Sequence, residues 1–331
     1  MAELANAYLD DRARYYADRP ASLTEPTYTL RYLLALYARH PAAQFTPVHL
    51  RTVRQSVLDA HCGRDYANRV AKQVRRMFRW GVAEGVVHPD VLARLNALEP
   101  LRAGHCVAKE PTPRRLVSEE ELLAVARHMP GPVAAACWVL FWTGARPAEV
   151  LNLRAGDIDR TTDPWRTVLK EHKTAHKGKA RVLYFGPRAQ AVLRPFLVRP
   201  AGAFLFSPAE AVAEVRQRRH TERVTPMNEG NRPGTNRKKN PETAPGDVYD
   251  PATFARAVRR AIDIENRNRE ANSKMEPFSP YCMRHTAATR VAHEIGLEAA
   301  RALLGHASLS MTLTYARADA EAASTAMSKL G

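Results

Sequence analysis

Four residues stand in settings that could handle a phosphodiester. Arg146 lies in Thr143-Gly144-Ala145-Arg146-Pro147-Ala148-Glu149-Val150, and Arg284 in Tyr281-Cys282-Met283-Arg284-His285-Thr286. His306 follows Leu304-Gly305, and Tyr315 comes nine positions after it. A guanidinium offers a planar fork that matches two oxygens of one phosphate. An imidazole can donate to a third oxygen, and a phenol is a nucleophile able to form a covalent phosphoester. Each residue alone has an ordinary structural use: arginines sit at helix starts, and histidines and tyrosines pack in cores. Their order along the chain is what points to chemistry on phosphorus.

The bulk charge says where such a phosphate would come from. The 331 residues hold 50 Lys plus Arg against 34 Asp plus Glu, a net charge of +16, which favours nucleic acid as partner. A membrane surface is the other basic option, but no basic amphipathic helix stands beside an apolar anchor. The longest apolar run, Val133 to Trp142, is too short to span a bilayer and reads as a buried helix. Cys62, Cys106, Cys137 and Cys282 lack metal or disulfide spacing and fit a reducing cytoplasm. The opening residues are too polar for a signal peptide. There is no internal repeat and no phosphate-binding glycine loop, which argues against an ATP-driven enzyme.

The elements that must position these residues begin with a helical stretch of about a hundred residues. Thr46-Pro47 has the cap and first-position pattern of a helix start. From Asp65 to Ala83, Val70, Val74, Met77, Phe78 and Gly81 form an apolar face. Arg69, Lys72, Arg76 and Arg79 fall on another face, with Arg75 beside them and no acidic residue interleaved along the helix. Such a stripe is either a solvated face or a contact to DNA phosphates, and the missing acids favour DNA.

Leu98 to Arg115 holds Pro100, Gly104, Pro111 and Pro113 among basic residues and reads as a linker able to follow a phosphate backbone. Ser118-Glu119-Glu120-Glu121 is a capping-box start for the second domain. Thr167 to Lys170 and Arg181 to Phe185 read as short strands, with His176-Lys177-Gly178-Lys179 as the turn between them. Pro187 opens another helix. Residues 220–246 are polar and rich in Asn, Pro and Gly, the composition of a long mobile loop. Helices resume at Asp250. The expected fold class is mainly α with a small β-hairpin (α+β).

From about Val117 to Asp319 the chain resembles the catalytic domain of the tyrosine recombinases, the phage-integrase family, on the Arg146 octapeptide, the Arg284 box, Leu304-Gly305-His306 and Tyr315. The Asp65 helix resembles that family's core-binding domain more loosely. The resemblance implies a core-binding domain over residues 1–99, a basic linker over 100–116 and a catalytic domain over 117–331. It makes Arg146, Arg284 and His306 the phosphate-holding groups, Glu149 a supporting residue and Tyr315 the nucleophile. It makes a lysine on the β-hairpin the general acid. Lys173 fits best, and Lys177 and Lys179 remain alternatives, because one slip of register changes which side chain points inward.

One departure stands out. The family's histidine three residues before the second arginine is Tyr281 here. A tyrosine hydroxyl can donate to a phosphate oxygen, but with a reference pKa of about 10 it is a poor base near neutrality. His285 lies about 100° round the helix from Arg284 and is expected to be structural. Ser308 is a candidate N-cap for the tyrosine-bearing helix. The implied reaction is DNA strand exchange through a 3′-phosphotyrosyl bond by a homo-tetramer on two double-stranded DNA sites, with no metal or nucleotide cofactor. A type IB topoisomerase-like relaxing enzyme and a non-catalytic DNA-binding relative are the alternatives.

Overall fold

The structure, a computed structural model, describes residues 1–105, 108, 110, 114–169, 181–229, 244–306 and 308–312. The chain divides into two compact units, residues 1–113 and 114–331.

The first unit is helical: α1 (Ala2–Tyr15), α2 (Thr24–Tyr37), α3 (Pro47–Asp59), α4 (Arg64–Ala83) and α5 (Pro89–Asn96). Its core is built on α4. Ala67, Val70, Ala71, Val74, Met77 and Phe78 recur at helical spacing and are buried, because that stripe faces Leu30, Leu33, Phe45, Leu50, Val53 and Leu95. One polar pair is enclosed: Gln73 Nε2 donates to the Tyr8 hydroxyl at 2.9 Å. Pro47 takes the first position of α3, where His49 Nδ1 accepts the Thr46 backbone N–H at 3.1 Å.

The start of the proline-rich segment is fastened to this unit rather than free. The Asn68 side chain donates to the Leu101 carbonyl at 2.9 Å and accepts its N–H at 2.8 Å. One carboxamide carries a donor and an acceptor side by side, so it can pair with both polar groups of a single residue. Arg75 and Arg54 donate to the carbonyls of Leu98 and Glu99.

The second unit contains α6 (Glu119–Ala126), α7 (Gly131–Thr143), α8 (Pro147–Leu151), β1 (Trp165–Leu169), β2 (Arg181–Phe185), α9 (Pro187–Leu193), α10 (Pro208–Thr221), α11 (Pro251–Arg267), α12 (Pro280–Glu294) and α13 (Leu297–Leu304). The Ser118–Glu121 capping box closes at 3.0 and 3.1 Å. Asp250 caps α11 by accepting the N–H groups of Ala252 and Thr253. Helix α7 is apolar nearly all round and central, packed by α6, α8, α9, α10, α11, α12 and β2.

The two strands pair antiparallel in the register Trp165↔Phe185 through Leu169↔Arg181. Trp165, Thr167, Arg181, Leu183 and Phe185 are buried, while Arg166, Val168 and Tyr184 face outward, the period-2 alternation of a half-buried ribbon. The fold is therefore mainly α with a small two-stranded sheet. Residues 230–243, most of the expected loop, lie outside the described residues, while α10 extends through Thr221. Among the described residues no helix is long and apolar enough to cross a membrane.

Candidate functional site

Arg146 is set by two local stops. Helix α7 ends at Gly144, whose φ of 61° is left-handed. A Cβ there would stand 3.2 Å from the Ala287 Cβ, so glycine serves both the turn and the close approach of α12. Arg146 then becomes the N-cap of α8, with Pro147 behind it. Glu149 accepts the Arg146 backbone N–H at 2.9 Å and the Arg146 Nη1 at 2.6 Å. The Glu149 side chain is 3% exposed and that of Arg146 is 21% exposed, so the acid is enclosed while the guanidinium still reaches the surface. Burial pushes the Glu149 carboxyl up, but the Arg146 backbone N–H and the charges of Arg181 and Arg146 outweigh it and hold the group below its ordinary value.

Arg284 comes from α12 and is buried. Its Nη1 donates to the Gly144 carbonyl at 2.6 Å, two residues before Arg146. Its Nη2 donates to the Leu304 carbonyl at 3.0 Å and stands 3.5 Å from His306 Nε2. Helix α13 ends at Gly305, with φ 62°, and the chain turns directly into His306. His306 Nδ1 lies 3.0 Å from the hydroxyl of the buried Thr312. Burial, then the charges of Arg284, Arg146 and Arg181, depress the His306 pKa below its ordinary 6.5. Neutral imidazole therefore predominates at neutral pH. Two arginines and a histidine, more than a hundred residues apart at the extremes, form one cationic cluster.

The cluster contains a residue that sequence reasoning missed. Arg181, the first residue of β2, is buried, donates from Nη1 to the Leu303 carbonyl at 2.8 Å and sets Nη2 3.6 Å from the Glu149 carboxylate. A signal was present: Arg181 shares the strand's inward alternation with Leu183 and Phe185, which puts a cation on the buried face.

Tyr281 lies on α12 one turn before Arg284 but is 42% exposed, and the Arg114 guanidinium lies over its ring at 5.3 Å. Among the described residues its hydroxyl makes no hydrogen bond. His285 is half-buried. Ser308 precedes a short 3₁₀ turn, Leu309–Met311, without a side-chain capping bond, and its hydroxyl lies 2.8 Å from that of Ser310. The tyrosine-bearing segment it was expected to cap lies outside the described residues. Lys173, with Lys177 and Lys179, and Tyr315 lie outside the described residues.

On α4, Arg69, Lys72, Arg76 and Arg79 are exposed. Arg75 is not part of the open stripe: it is half-buried, bonded to the Leu98 carbonyl, and burial, then the charge of Arg79, lowers its pKa. An acid does reach the stripe from another helix, since Glu25 of α2 stands 3.4 Å from Arg69. Both partners are more than half exposed, where such a pair contributes little. Among the described residues no cluster of His, Cys, Asp or Glu could hold a metal ion.

No family model and no curated relative matches the sequence. The fold, however, is shared over nearly the whole chain with solved integrases. The transposon Tn1549 integrase in complex with a circular intermediate DNA aligns over 99% of both chains with a TM-score of 0.68 at 14% identity. A lambda integrase dimer bound to a COC′ core site aligns over 95% of this chain and 96% of that one, with a TM-score of 0.65 at 15% identity. A lambda integrase tetramer bound to a Holliday junction covers 94% of this chain and 76% of its own, with a TM-score of 0.64. The chain has the fold of the tyrosine recombinases.

Proposed function

We propose that this protein is a site-specific DNA recombinase that cuts and rejoins double-stranded DNA through a 3′-phosphotyrosyl intermediate. The observation that carries this reading is the convergence of Arg146, Arg284 and His306, with Arg284 fixed by the Gly144 and Leu304 carbonyls at the ends of α7 and α13. The fold shared with DNA-bound integrases supports it.

The Tyr315 phenol attacks the scissile phosphorus and releases its proton to solvent. The bond to the 5′ oxygen breaks, and Lys173 gives that oxygen its proton. Arg146 and Arg284 stabilise the charge that gathers on the non-bridging oxygens, and neutral His306 donates one N–H to them. The 5′ hydroxyl of a partner strand then attacks the phosphotyrosine and releases the phenol. Each step exchanges one phosphoester for another, so the chemistry consumes no nucleotide. Residues 1–99 serve as the core-binding domain, 100–116 as linker and 117–331 as the catalytic domain. Exchange between two duplexes calls for a homo-tetramer, a state the lambda integrase adopts on its Holliday junction. Such an enzyme works in the cytoplasm.

The test is covalent trapping. Duplexes selected for affinity from a random-sequence pool are nicked near the bound site and incubated with the protein. A protein–DNA adduct that survives denaturant is the expected result. Binding without an adduct at any selected site would reduce the protein to a DNA-binding relative. A two-site recombination assay, run beside plasmid relaxation, separates strand exchange from relaxation alone.

Two further outcomes are expected. Replacing Arg69, Lys72, Arg76 and Arg79 together with alanine should flatten the slope of log affinity against log salt by roughly one unit for each phosphate no longer neutralised. Unchanged affinity and slope would make the stripe a solvated face. Tyr281→Phe removes only an exposed hydroxyl one turn from Arg284. It should slow single-turnover cleavage about ten- to a hundredfold, or ~1.4–2.7 kcal/mol, if that hydroxyl meets the phosphate. Cleavage at the wild-type rate would take Tyr281 out of the site.

A further inference from the structure

Two of the three guanidinium groups around Glu149 and His306, Arg146 and Arg284, come from the sequence motifs. The third, Arg181, comes from the sheet. It sits where two parts of the site meet. Through Nη1 it holds the Leu303 carbonyl, and through Nη2 it faces the Glu149 carboxylate that also holds Arg146. Its Nε and Nη2 are buried and make no hydrogen bond among the described residues. A buried cation with two unbonded donor atoms is a costly way to staple a strand to a helix. An apolar side chain would pack there at less cost, so its charge and reach need another explanation.

The geometry supplies one. The last carbonyls of α13 have no partner within the helix. Arg181 takes that of Leu303 and Arg284 takes that of Leu304, so two guanidinium groups clamp the helix end that turns into His306. Cations are also favoured at a helix C-terminus. Gly305 leaves the necessary room, since a Cβ there would strike the Arg181 guanidinium. On the other side, Glu149 is shared. Were Arg146 its sole cation, the pair would be neutral and Arg146 would lose most of its pull on an anion. With Arg181 present, two cations face one carboxylate and an excess positive charge remains.

We propose that Arg181 is a positioning residue for phosphoryl transfer: from one buried point it offsets the Glu149 carboxylate that orients Arg146 and holds the helix end that orients His306. This rests on the recombinase reading and deepens it. Arg181 does not touch the DNA, because its Nε and Nη2 are shielded from solvent.

The test uses the full chain and the nicked duplexes that trap the wild type. Arg181→Met should bind them within about twofold of wild type, because the phosphate contacts that dominate affinity are elsewhere. Its single-turnover cleavage should fall about ten- to a hundredfold, the scale of a displaced catalytic group. The decisive readout is a rescue. Adding Glu149→Gln to Arg181→Met removes the uncompensated negative charge and restores the charge balance, while the amide oxygen still accepts the Arg146 N–H. The double variant should cleave several-fold faster than Arg181→Met alone. A merely structural arginine would give no such rescue, and an unrescued or slower double variant would overturn the proposal. So would Arg181→Met cleaving at the wild-type rate. Should thermal melts show that Arg181→Met does not fold, Arg181→Lys takes its place. It keeps the charge but cannot span both partners, so it should cleave at an intermediate rate, and full activity would overturn the proposal. A wild type that yields no adduct would instead defeat the recombinase reading itself.

Discussion

Tyr315→Phe is expected to bind selected DNA with wild-type affinity and salt dependence, yet to give no covalent adduct on a nicked duplex. Phenylalanine keeps the ring and its packing and deletes the one oxygen able to form the phosphoester. Tyr315 follows His306 by nine positions, the spacing that the recombinase resemblance requires, and His306 belongs to the cationic cluster. A phenol has a reference pKa of about 10, so near neutrality its attack needs positive charge nearby to favour the oxyanion. On the recombinase reading, the cationic cluster around His306 would supply that charge. Denaturing gels of the trapping reaction give the readout. A residual adduct of full intensity would move the nucleophile to another residue, whereas loss of DNA binding together with loss of adduct would point to a folding defect.

Arg146→Ala is expected to have the next largest effect. It should lower the single-turnover cleavage rate by about 10²–10³, or ~2.7–4 kcal/mol, the usual cost of removing one preorganised donor from a transition-state oxyanion. Arg146 is the better choice for this measurement. Arg284 is buried and holds two backbone carbonyls, so truncating it would leave both unpaired, at about 1–3 kcal/mol each. Arg146 is partly open, and without its side chain Glu149 keeps the Arg146 backbone N–H and the charge of Arg181. The fold should therefore survive, with the melting temperature little changed. Arg146→Lys separates charge from geometry. A point charge cannot make the two parallel bonds of a fork, so it should recover only part of the loss. An Arg146→Ala rate within threefold of wild type would remove Arg146 from the phosphate.

Much of the site was legible because its parts are local. The Arg146 octapeptide carries its own turn glycine, helix-opening proline and capping glutamate, and all three act within a few residues. The apolar stripe of α4 and the Ser118 capping box are likewise short-range patterns, read from spacing alone. The strands were visible as short runs rich in β-branched and aromatic residues, but not what their inward face would meet.

By itself the sequence determined the main helices, the two short strands, the excess positive charge and the order of the chemistry-bearing residues, because these follow from composition and from local side-chain pattern. Only the tertiary structure decided which of these groups meet. It closed Arg284 onto the Gly144 and Leu304 carbonyls and turned Arg181 inward against Glu149 and Leu303. It also withdrew Arg75 from the basic stripe by bonding it to Leu98, and brought Glu25 to Arg69. The reason is physical. A guanidinium has the same local preferences whether it ends in solvent, on a phosphate or on a buried carbonyl. Its destination is set by unpaired backbone groups and charges that other elements bring, from as far as 140 residues away in the case of Arg284 and Gly144.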